Sequence, residues 1–143
     1  MRKLLTLLSV LVASSAIGFA AQVLPSHPVA GTPVFLTYTI EGADSFNPDR
    51  VQKLSVKLID KDGKAAPAEF ELNGFEAIMP EHNHGMLTKA VIQKKSGAEF
   101  TVDGVKLHMP GKWILEFKVL DKAPKVSGAV QVIVPVKVPV EIK

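Results

Sequence analysis

A chain of 143 residues with no cysteine and a formal charge of +3 has room for one ordinary domain. Without cysteine it has no disulfide framework, no thiolate metal site, no thiol nucleophile and no acylated-cysteine anchor. It must fold on an apolar core alone, and any metal it holds takes nitrogen, oxygen or thioether sulfur.

Met1-Arg2-Lys3 is a short cationic start, Leu4 to Val12 is an apolar run broken only by Thr6 and Ser9, and Gly18-Phe19-Ala20 ends in small residues. This is the layout of a secretory signal peptide over residues 1–20, cleaved after Ala20, which predicts export to the periplasm and a single domain over 21–143. The alternative, an uncleaved anchor from Leu4 to Ala21, stands at the lower edge of bilayer-spanning length. Its polar interruptions and the lack of a cationic flank weigh against it, so no integral membrane segment is expected after cleavage. The leader holds two of the 17 Lys and Arg and none of the 14 Asp and Glu, so the remainder is close to neutral. Arg50 is then the one arginine, and the lysines are scattered among acids, which argues against a nucleic-acid partner.

The rest reads as strands. Val34-Leu36-Tyr38-Ile40 and Leu54-Val56-Leu58 alternate with more polar neighbours. Glu41 to Arg50 is the longest irregular connection between them. Trp113, Leu115, Phe117 and Val119 share one face of a strand whose other face carries Glu116 and Lys118, and valines alternate from Val130 to Val138. Asp60-Lys61-Asp62-Gly63, Lys95-Ser96-Gly97, Asp103-Gly104 and Lys122-Ala123-Pro124-Lys125 supply turn chemistry between the runs. About seven short strands predict an all-β, immunoglobulin-like antiparallel β-sandwich, of a kind without the antibody disulfide. Pro135 and Pro139 place part of the last strand at an edge, because proline cannot donate to a central ladder.

The densest chemistry is Ile78-Met79-Pro80-Glu81-His82-Asn83-His84-Gly85-Met86, in a chain with four histidines and four methionines. With Phe70 to Met79 as a strand and Pro80 to Gly85 as its turn, Met86 to Gln93 is expected to run back antiparallel to it. A second reversal near Lys95-Ser96-Gly97 returns the chain through Phe100 to Leu107, so His108-Met109-Pro110-Gly111 arrives beside the first turn. His82, His84 and His108 with Met79, Met86 and Met109 are thereby predicted to share one pole, the part of such scaffolds where ligands bind.

Imidazole suits copper, zinc and nickel, whereas thioether sulfur favours Cu(I), so this mixture points to a copper ion ahead of zinc. Zinc would want more carboxylate or histidine, and Glu81 is the obvious further candidate. Met86 and Met109 are the preferred sulfur pair, since Met79 is equally explained as the last core residue of its strand. His82 and His84 face the same way if the turn is extended and diverge if it is tight. His27, in Pro25-Ser26-His27-Pro28, is either a tail histidine or an arm that joins the site. Taken singly, methionines fill cores and turn histidines are solvated; the convergence of six donors carries the metal reading.

Nothing argues strongly for catalysis, and a redox copper enzyme has no separate support. There is no nucleophile elbow and no suggestive nucleophile, histidine and carboxylate order. Asp60 and Asp62 belong to a turn signature, and Lys61 and Lys64 oppose a calcium loop there.

Met79-Pro80-Glu81-His82-Asn83-His84-Gly85-Met86, followed by Val102 to Trp113 with Leu107-His108-Met109-Pro110-Gly111-Lys112-Trp113, resembles the YtkA-like domains of exported bacterial proteins. Those domains pair an M-P-x-H-x-H-G segment with a downstream aromatic-x-M-x-G-x-W segment; here Leu107 stands where the aromatic is usual. The resemblance implies a small immunoglobulin-like sandwich, agreeing with the strand reading, and a suspected role in copper handling. It marks Met79, His82, His84, Met109 and Trp113, the last as a structural residue that Gly111 helps to place. The leading expectation is a non-enzymatic copper-binding protein; the alternative is an interaction module docking on a periplasmic or membrane-surface protein, and a small-ligand binder comes third.

Overall fold

A computed structural model describes residues 24–128 and 131–143. The leader over 1–20 and Val130 lie outside the described residues. Nine strands follow in chain order: β1 His27–Pro28, β2 Phe35–Ile40, β3 Gln52–Ile59, β4 Phe70–Met79, β5 His84–Gly85, β6 Val91–Ser96, β7 Glu99–Val105, β8 Gly111–Asp121 and β9 Val132–Ile142. Among the described residues, no helix is long and apolar enough to cross a membrane.

Two antiparallel sheets, ordered β1-β2-β3-β7-β6 and β5-β4-β8-β9, pack face to face. Setting aside the two-residue β1 and β5 and lettering the other strands A to G gives A-B-E-D against C-F-G. That is the strand order of a constant-type immunoglobulin domain, so the expected sandwich is present.

Alternation places the core. Trp113, Leu115, Phe117 and Val119 of β8 are fully buried, as are Leu54, Val56 and Leu58 of β3 opposite them. Each such side chain removed from water is worth about 1.5–3 kcal/mol, which is what replaces the missing disulfide. Phe117 meets Tyr38 of one sheet and Phe75 of the other, with ring centroids 5.4 and 5.0 Å away. Among the described residues β9 pairs with β8 alone, so Pro135 and Pro139 sit on an edge strand as their missing N–H requires.

The segment after the His turn departs from expectation. Only His84 and Gly85 pair back onto β4, opposite Met79 and Ile78; the chain then crosses to the other sheet, where Val91–Ser96 pairs with β7. The crossing is tied to β7 at Gly104, whose carbonyl accepts from the Thr88 hydroxyl at 2.6 Å. Gly104 has φ +80°, and a Cβ there would fall 2.5 Å from the Lys89 carbonyl oxygen, so the close approach needs glycine. Two reversals still return the chain to the same pole, by way of the second sheet.

At that pole lie the connections 41–51, 80–90 and 106–110 and the C-terminal end of β9. In immunoglobulin lettering these are the A–B, C–D and E–F loops. They occupy the end opposite the B–C and F–G loops that bind antigen in variable domains.

Candidate metal centre

The first loop is built by a short turn. Pro80–His82 forms one turn of 3₁₀ helix, with Pro80 at its start where no N–H is needed, and Asn83 ends it in the left-handed region at φ 49°, ψ 43°. This residue answers the question of direction that the spacing left open. The turn is tight, yet it brings the His82 and His84 rings to 5.8 Å between centroids.

The second loop is fixed from below. Gly111 takes φ +125° at the start of β8, and a Cβ there would meet the Met79 methyl at 2.5 Å. Trp113, fully buried, donates its indole Nε1–H to the Met109 carbonyl at 3.0 Å. Together they hold His108 against His84, with ring centroids 5.3 Å apart and planes 29° from parallel.

Trp113 floors both imidazoles. Its ring meets His84 at 5.8 Å and His108 at 5.5 Å, each edge-on at 70° and 72°. The sequence marks Trp113 as structural; that it touches both histidines follows only from the pairing of β4 with β8, which carries the two loops to one side.

The three histidines therefore come together as predicted, in the contact order His82, His84, His108, with exposure falling along the first step. His82 is exposed, and His84 and His108 are half-buried. Met79 is fully buried in the core beneath Gly111. Met86 and Met109 are half-buried and pack against that core. Met86 also lines a groove with Phe75, Ala77 and Thr88 along the outer edge of β4. His27 does not join the group: it pairs with Leu36, near the end of β2 remote from the site, and stacks on Tyr38 at 6.1 Å. Burial lowers its pKa.

The hydrogen-bond surroundings of the two inner rings differ. His84 Nδ1 lies 3.2 Å from the Gly85 carbonyl, which can only accept, so the contact is a hydrogen bond in the tautomer that protonates Nδ1, and in that neutral tautomer Nε2 has a free lone pair. Among the described residues, His108 Nδ1 is buried with no hydrogen-bond partner. An orphaned buried nitrogen costs about 1–3 kcal/mol, a penalty that a bound ion or proton donor would relieve.

Ring separation sets the first requirement for a shared ion. A metal about 2.0 Å from an imidazole nitrogen lies roughly 3 Å from the ring centre, so two rings on one ion have centroids up to about 6 Å apart. Both imidazole contacts fall within that span. Among the described residues, however, no three His, Cys, Asp or Glu side chains are grouped to hold an ion by themselves. A set of three or more nitrogen and oxygen donors is thus not assembled among the described residues in this conformation.

Compared with protein-family models, curated proteins and solved structures, the chain gives no match.

Proposed function

We propose that this is an exported, periplasmic, non-enzymatic protein of YtkA-like type that binds and passes on copper, taken as Cu(I), through its His/Met pole. The observation that carries this reading is the contact of His84 with His108, delivered from two loops over one tryptophan. His84 Nε2 and a His108 nitrogen would hold the ion, with Met109 the nearest thioether along the chain and Met86 a further donor of the pole, while His82 lies outside this set beside His84 at the exposed rim and Met79 forms the buried floor. The ion is cargo, and the protein's part is to select it with soft donors and to shield it within half-buried rings.

Titrating the domain with Cu(I) and Cu(II) against a competing chelator tests this. Submicromolar Cu(I) binding, lost in His82→Ala/His84→Ala and in Met86→Ala/Met109→Ala, is expected. Weak binding, or binding that neither double variant changes, would refute it.

A second reading, an interaction module without metal, rests on a different feature. Ile78, Ile114 and Pro139 form one cross-strand row on the outer face of the four-stranded sheet, beside Pro80. Retained partner capture by a variant unable to bind copper would favour that reading.

A further inference from the structure

The three histidines of the pole are not equivalent. His84 and His108 stack on each other and both meet Trp113. His84 has its Nδ1 engaged with the Gly85 carbonyl, and His108 has a nitrogen sealed from solvent. His82 meets His84 alone among these rings, is exposed, and sits on the 3₁₀ turn that ends at the left-handed Asn83. It has no side-chain bond holding its imidazole among the described residues, in contrast to the engaged ring beside it.

We infer that His82 is a transit ligand: it receives the cuprous ion from solvent or a donor and hands it to the His84/His108 pair, and reverses those steps on release. The inference rests on the copper-binding reading and assigns a role within it. The ion moves by exchange of neutral imidazole and thioether donors, so its charge and oxidation state are unchanged and no proton or electron need be supplied. At 5.8 Å from His84, the exposed ring is near enough for one ion to touch both before the outer bond is released. An exchange through a bridged state avoids baring the ion to water between ligands.

A group that holds the ion only in passage lowers the barrier in both directions equally. It leaves the equilibrium constant alone while changing both rates. His84 and His108, as resident ligands, do the opposite: their loss weakens binding. This separates the two roles in a way that a list of nearby donors does not.

The test is a paired measurement on the copper-loaded and copper-free protein, using Cu(I) alone as ligand and a chromogenic Cu(I) chelator as acceptor. Equilibrium competition gives affinity and stopped-flow transfer gives rate, for wild type, His82→Ala, His82→Asn and His84→Ala. The inference predicts that both His82 variants keep the wild-type affinity while loading and release each slow by about tenfold or more. His84→Ala is expected to lose affinity. Unchanged rates in the His82 variants would overturn the transit role and leave the copper site standing. An affinity loss equal to that of His84→Ala would also overturn it, by making His82 a resident ligand. Failure of the wild type to bind Cu(I) would remove the copper reading and this inference together.

Discussion

The imidazole rings of His84 and His108, carried on different loops, stack with centroids 5.3 Å apart, and each meets the ring of Trp113. Trp113 is the one tryptophan in the chain, so its emission reports on this site. Copper bound to the pair should quench that emission, saturating at one equivalent, and His84→Ala or His108→Ala should abolish the effect. Fluorescence that stays constant while copper binds would place the ion away from Trp113.

Gly111 joins core and site. Its φ of +125° is a conformation that L side chains rarely adopt, and an added methyl would press on the Met79 terminal methyl. Gly111→Ala is expected to lower stability by about 1–3 kcal/mol in urea unfolding. It should also weaken copper binding by shifting the His108-Met109 loop. A variant with unchanged stability would show that the backbone there relaxes freely.

The opposite pole carries the acid sensitivity. Asp121 is buried, and its carboxylate accepts from the Ala123 N–H at 2.9 Å and from the Lys125 ammonium. Burial alone pushes its pKa up, but the Lys125 and Ala123 contacts outweigh this and hold it below the ordinary carboxylate value. A carboxyl depressed in the folded state contributes stability that is full above its unfolded pKa of about 3.9 and lost as pH falls through the lower folded value. Asp121→Asn should therefore cost roughly 1 kcal/mol at neutral pH, with a gap to wild type that closes below about pH 4. Lys125→Ala, which leaves the buried carboxylate without a counter-charge, should cost more, about 3 kcal/mol. Urea unfolding at pH 7 and pH 3 measures both; a gap independent of pH would contradict the assignment.

Much of this architecture is legible in the residues. The alternation of Trp113, Leu115, Phe117 and Val119 places β8 because both sheets bury that face, and the prolines of β9 announce an edge. Counting reversals brings His108 to His84 because antiparallel strands leave few other ends to choose from. The path of 86–90 is less legible. β6 exposes all but Ile92, so no apolar face reveals which sheet it joins. The crossing is held instead by Thr88 against Gly104, a contact sixteen positions apart. Direction within the His turn rests on the backbone of Asn83, which residue type alone leaves open. The floor under both rings depends on strand register, which no single segment contains.

The proposed function requires that one soft ion be held jointly by imidazole and thioether groups from two loops. X-ray absorption at the copper edge of the Cu(I)-loaded protein tests it most directly, together with metal analysis of the same sample. One copper per chain, with imidazole nitrogen and sulfur in the same coordination shell, is the predicted result. A shell of oxygen and nitrogen without sulfur, or copper bound in no fixed ratio, would contradict it.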